Sequence, residues 1–194
     1  MSAEEQTMNL ERYHKEEKIF TMEEIQKPIL ILTLISTIIL GAGYRLIWGN
    51  SVWNTWEPYA LVIILYLALI PIHELIHGGS FKIFGRTSWS NISYGIDWKN
   101  LMPYAHCKIP ISAGAYKIAV LLPMIITGIL PLAAGFIMGN GFLTVLGILL
   151  TQAGFGDVFI YWHIRKYDKQ TVIKDHPEQI GCEVYNMKKA EKIG

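Results

Sequence analysis

The chain has 194 residues, 52% of them hydrophobic and only 17% charged, where an ordinary soluble domain is about a quarter charged. A net charge of +1 supplies no global basic field and argues against nucleic acid as a partner, and two cysteines are too few for a disulfide framework. The charge deficit is confined to long stretches that are nearly free of charge, the pattern of a polytopic membrane protein rather than of a soluble domain.

Residues 1–27 are polar and mixed in charge, with Glu4, Glu5, Glu11, Arg12, Lys15, Glu16, Glu17 and Lys18. No basic n-region and no cleavage site precede the first apolar run, so this segment is expected to be a tail and not a signal peptide. A membrane span needs about 20 mostly apolar residues. Residues 28–48 are the first expected span, with Pro28 suited to a first helical turn. Residues 58–81 are the second and carry His73-Glu74-Leu75-Ile76-His77 at the end of an apolar run. Residues 115–138 are the third, punctuated by Pro123, Gly128 and Pro131, and residues 141–163 are the fourth, containing Asp157. Gly139-Asn140-Gly141 is a turn composition that makes the last two spans an antiparallel pair.

Between the second and third spans, Ile92, Tyr94, Ile96 and Trp98 alternate with Ser93, Gly95 and Asp97, which is strand periodicity. Lys99-Asn100 can turn the chain, and residues 102–109 can return as a partner with Pro103 marking an edge, giving a small hairpin within residues 88–110. The expected fold is an all-α polytopic membrane protein of about four transmembrane helices, with a cytoplasmic β-hairpin between helices 2 and 3. The membrane domain covers residues 28–164, and a C-terminal tail covers residues 165–194.

Lysine and arginine set the orientation. Arg12, Lys15, Lys18 and Lys27 lie before the first span, and only Arg45 lies near the loop after it. Lys82, Arg86, Lys99 and Lys108 lie between spans two and three, none lies in the turn between three and four, and Arg165, Lys166, Lys169, Lys174, Lys188, Lys189 and Lys192 follow the last. Both termini and the hairpin are therefore expected on the cytoplasmic side of the cell membrane, with Trp48, Trp53 and Trp56 forming an interfacial belt opposite.

An HExxH sequence on a helix puts two imidazoles one turn apart on one face, with the glutamate able to reach a water on a shared metal ion. Bare core histidines are a poor alternative, because Glu74 would then be a carboxylate in or near hydrocarbon with no basic partner close in sequence. A catalytic zinc takes three protein ligands and leaves a position for water. Asp157 is the best candidate for the third, as the only acidic residue of spans three and four, flanked by Gly154 and Gly156 that permit close helix approach. In the topology above, His77 lies five residues before Lys82 and Asp157 eight before Arg165, so both sit one to two turns inside the cytoplasmic boundary on parallel helices. His106, Cys107, His163 and His176 are competing ligands. A peptide must be extended to be cut, and the hairpin offers an edge on which one could pair, or else simply plugs the cytoplasmic mouth.

Taken in order, HELIH at the end of an apolar helix, Pro103-Tyr104-Ala105-His106-Cys107 after a strand-like segment, Gly156-Asp157 in a late helix, and Asp175-His176-Pro177 followed by Gly181 resemble the putative zincin peptidases. These are small bacterial membrane proteins similar to the site-2 protease clan of intramembrane metalloproteases, and the resemblance covers roughly residues 60–185. It implies a zinc-dependent endopeptidase with His73, His77 and Asp157 as ligands and Glu74 as catalytic base, acting on a membrane-anchored protein or peptide. Two departures stand out: site-2 proteases usually carry their aspartate in an Asn-Pro-x-Asp-Gly or Leu-Asp-Gly sequence, where this chain has Gly-Phe-Gly-Asp-Val, and Leu122-Pro123 is followed by no asparagine, with Thr127 the nearest polar residue. A non-catalytic zinc protein with a structural or regulatory site, and a metal carrier, are the competing functions. Asp175-His176-Pro177 reads as an aspartate-initiated turn ordered by proline, or as a segment docked against the site. Cys107 and Cys182 are expected to be free thiols.

Overall fold

The computed structural model describes residues 13–49, 57–100 and 102–187. In chain order they form β1 (Tyr13–Ile19), α1 (Met22–Trp48), α2 (Glu57–Phe84), β2 (Ile92–Asp97), β3 (Met102–Cys107), β4 (Ile111–Ser112), α3 (Ala113–Met138), α4 (Gly141–Ala153), α5 (Phe155–Ile164), β5 (Val172–Asp175) and β6 (Gly181–Met187). Three helices, Met22–Trp48, Ala60–Phe84 and Ala113–Met138, are long and apolar enough to cross a membrane. The fourth expected span is a pair, α4 and α5, bent by 43° at Gly154, and passes the same test only if the two count as one span. Trp53 and Trp56 of the expected belt, and the charged residues of 1–12 and 188–194, lie outside the described residues.

Helix α1 starts six residues before Pro28, and the reason is local. Thr21 Oγ1 accepts from Glu24 N at 3.3 Å while Glu24 Oε2 accepts from Thr21 N at 2.7 Å, a reciprocal capping box that fixes the start at Met22. Pro28 is carried inside the helix.

Helices α3 and α4 meet through small residues. A Cβ at Gly128 would stand 2.6 Å from Thr151 N, and one at Gly147 would stand 2.4 Å from Leu132 N, so each helix presses a backbone into the other. The turn between them forms as its composition implies: Gly139 is left-handed at φ 64° and Asn140 Oδ1 caps Leu143 N at 3.0 Å. Within α3, residues Met124–Ile129 widen into a π-turn directly after Pro123.

The protein is not purely α-helical. β2 and β3 pair antiparallel, from Ile92 opposite Cys107 to Asp97 opposite Met102. A second sheet, in the order β1-β6-β5-β4, joins the two segments read as tails: Tyr13 pairs with Met187, Ile19 with Gly181, and Asp175 with Cys182. Its inner face packs Ile173, Cys182 and Val184 into one core with Phe81, Tyr116, Ala119 and Ile164 of the helices. That contact brings the C-terminal segment to the mouth of the helical domain.

Candidate metal centre

The i, i+4 spacing puts His73 and His77 on one face of α2, both buried, with ring centroids 4.9 Å apart. The bend at Gly154 places Asp157 in the first turn of α5, facing that pair. His73 Nε2 lies 3.0 Å from Asp157 Oδ2 and His77 Nε2 lies 3.4 Å from Asp157 Oδ1.

The outer ring nitrogens decide what these contacts mean. His77 Nδ1 lies 2.9 Å from the Ala119 carbonyl, which can only accept, so Nδ1 carries the proton. His73 Nδ1 lies 3.3 Å from Thr127 Oγ1, whose own proton is donated to the Pro123 carbonyl at 2.8 Å, so this hydroxyl accepts as well. A neutral imidazole protonated at Nδ1 has a bare lone pair at Nε2. Two lone pairs and a carboxylate therefore converge with no hydrogen between them, and the arrangement requires a positive charge: extra protons on the rings, or one divalent ion shared by all three. Two imidazoles and a carboxylate, with the far nitrogens fixed by hydrogen bonds, suit zinc. Ligand-type atoms of His73, Glu74 and His77 also all lie within 4.8 Å of one another, so Glu74 borders the same point.

The competing ligands lie elsewhere. His163 Nδ1 donates to Phe159 O at 2.8 Å and its ring packs between Phe20 and Phe159. Cys107 donates its Sγ–H toward Ile109 O at 3.4 Å. His176 Nδ1 accepts from Glu178 N and Gln179 N at 3.2 and 3.0 Å. His176 does approach Glu17 and Glu183, but Lys15 Nζ already bridges the two carboxylates at 2.8 and 2.7 Å, and Glu183 also accepts from the Tyr185 hydroxyl at 2.6 Å. His106 turns its side chain to the face of β3 opposite that of Ala105, whose backbone meets Glu74.

The model of the putative zincin peptidase family matches residues 66–172, more than half of the chain. The chain belongs to this family. No curated protein and no solved structure matches it. Membership in a zincin family supports a metallopeptidase and implies zinc as its ion, which the converging lone pairs and carboxylate fit.

In this zincin-family chain His73, Glu74, His77 and Asp157 line one wall of a cavity of about 460 Å³. β3 forms another wall, with Met102, Pro103, Tyr104 and Ala105 all lining the space, and Ile180 and Gly181 line it as well. Among the described residues β3 has β2 as its only strand neighbour, so its other edge is unpaired there. Ala105 offers its backbone N–H to the Glu74 carboxylate. Sequence reasoning named Thr127 only as a polar residue in a helix; its role as acceptor for His73 depends on the π-turn, which no local signal beyond Pro123 announces. Gln152 went unremarked. It lines the cavity and ties α4 to α1, donating to Ser36 Oγ at 3.1 Å and Thr37 Oγ1 at 2.8 Å.

Proposed function

We propose that the protein is an intramembrane zinc endopeptidase of site-2 protease type, cutting membrane-anchored proteins near the cytoplasmic face. One observation carries the reading: Glu74 stands between the converging His73, His77 and Asp157 and the free edge of β3. A structural zinc site fills its fourth position with protein and has no use for a carboxylate there. A carrier site would need a polar path, whereas this cavity is walled mostly by apolar side chains.

His73, His77 and Asp157 would hold the ion. Zinc bound there supplies an electrophile for the scissile carbonyl and lowers the pKa of water. Glu74 takes the proton from the attacking water and delivers it to the leaving amine. Thr127 and the Ala119 carbonyl keep both imidazoles in the tautomer that presents Nε2 inward. A substrate peptide, unwound from its helix, pairs with the free edge of β3 and so lies extended beside Glu74. The positive-inside pattern supports placing both termini and the hairpin on the cytoplasmic side, with residues 28–164 as the membrane domain.

The test is Glu74→Gln in purified protein, with bound metal measured alongside cleavage of a membrane-anchored substrate. Zinc content is expected to stay and cleavage to stop; equal cleavage by the variant sinks the reading. A cysteine at Asn140 that labelled from the cytoplasmic side would overturn the orientation.

A further inference from the structure

Asp175-His176-Pro177 and Gly181 have no part in the chemistry above, yet they form a closely built element. Asp175 ends β5 and its carboxylate is shared between two other elements: Oδ2 accepts the backbone N–H of Cys107 at 2.6 Å, and Oδ1 accepts the Tyr116 hydroxyl from α3. His176 N donates to Gly181 O at 3.1 Å, and His176 Nδ1 ties down the next two backbone N–H groups, so the loop returns directly into β6. Gly181 is at φ 136°, and a Cβ there would stand 1.9 Å from the Lys18 carbonyl oxygen, so only glycine permits this closure. Asp175 and Gly181 both line the cavity.

The bond to Cys107 has a consequence for β3. Cys107 points its N–H away from β2, and the two-residue period of a strand turns Ala105 and Pro103 the same way. Pro103 has no N–H. The outer edge therefore offers the carbonyls of Pro103 and Ala105, with the Ala105 N–H turned to Glu74, and is stopped at Cys107 by the Asp175 carboxylate. A peptide laid along this edge has one register in which its N–H groups meet both carbonyls beside Glu74.

We propose that Asp175 is a positioning residue: it clamps the end of β3 to α3 and so sets the register in which a substrate peptide pairs beside Glu74. The inference rests on the endopeptidase reading and on pairing at β3.

The test compares wild type, Asp175→Asn, Tyr116→Phe and Glu74→Gln, each loaded with zinc. In Asp175→Asn the amide oxygen can still accept from Cys107 while Nδ2 donates to the Tyr116 hydroxyl, so both links can persist but lose the charge of the carboxylate. Zinc content is expected to be unchanged, amide hydrogen exchange at Ala105 and Cys107 to speed up, and KM for an unstructured peptide to rise about tenfold with kcat within about threefold, as the weakening of two charge-assisted hydrogen bonds to neutral ones implies. Tyr116→Phe, which leaves the bond to Cys107 in place, should move KM in the same direction by less. Glu74-dependent cleavage with an unmoved KM in Asp175→Asn overturns this inference alone, as does a loss of zinc or a collapse of kcat in that variant, which would make Asp175 merely structural. Wild-type cleavage that does not depend on Glu74 overturns the endopeptidase reading and this inference with it.

Discussion

The two walls of the cavity are built on different principles. The metal wall, as proposed, draws His73, Glu74 and His77 from five consecutive residues of α2, brought together by helix geometry alone. The other wall is assembled from a hairpin, a helix start and the C-terminal segment, joined through Asp175 over 68 residues to Cys107 and 59 to Tyr116. Most of the first wall follows from local rules, with Asp157 alone brought in across 84 residues; the second exists only when the whole chain has folded. The metal wall should therefore fail all at once when a ligand is removed, and the strand wall should fail by degrees.

The largest effect is expected from Asp157→Ala. It leaves His73 and His77 with lone pairs facing a gap and removes the negative charge that favours a dication, so zinc should be lost from the purified protein; an unchanged zinc content would remove Asp157 from the ligand set. Glu74→Gln comes next. It keeps the ligands and the shape of the side chain, so zinc should remain while kcat falls by about 10²–10⁴, the usual contribution of a positioned general base.

The contrast between the walls also accounts for what could be read from sequence. His73, Glu74 and His77 were legible because HExxH is a local pattern. Asp157 was legible because a lone carboxylate in an apolar run is conspicuous, and the convergence of its oxygens on both Nε2 atoms adds the geometry. The antiparallel pairing of β2 with β3 follows from strand alternation around Lys99-Asn100. The four-stranded sheet was not legible. β1 reads Tyr-His-Lys-Glu-Glu-Lys-Ile, which is too highly charged to resemble a strand. It is held there by pairing with β6 and by the Lys15 bridge to Glu183. The break at Gly154 was equally hidden, because glycine at a close helix contact and glycine at a bend look alike in sequence; here a Cβ would meet Met124 Cβ at 2.6 Å.

Support for the metal wall from outside α2 should show as a smaller, graded effect. Thr127→Val keeps the shape but removes the acceptor that fixes the His73 tautomer, so zinc affinity should fall by about 10- to 100-fold, the usual cost of losing such a partner. Thr127→Ser should restore most of it. Equal affinity in the valine variant would mean that His73 is oriented by Asp157 alone.

The smallest effect comes from a place where the hairpin touches the helix backbone of α2 through a side chain. Gly78 and Gly79 follow the second histidine, both inside α2, where glycine costs about 1 kcal/mol relative to alanine. They differ in surroundings. A Cβ at Gly79 meets nothing within 4 Å, whereas one at Gly78 would stand 1.8 Å from the Tyr94 hydroxyl oxygen and 2.6 Å from Tyr94 Cζ. Gly79→Ala should therefore raise the melting temperature of the solubilised protein, through helix propensity alone. Gly78→Ala gains the same propensity but must push the Tyr94 ring off α2. Tyr94 faces Ala105 across the hairpin, so the ring moves the strand that lies against Glu74. Overpacking of this kind costs about 1–3 kcal/mol, at the low end here because the half-exposed ring can swing outward. Gly78→Ala should thus melt no higher than wild type, and its KM for peptide should rise while zinc stays bound. If both alanine variants gained the same stability, Tyr94 would not be seated on α2, and the strand wall would have to be held against the metal wall by Asp175 alone.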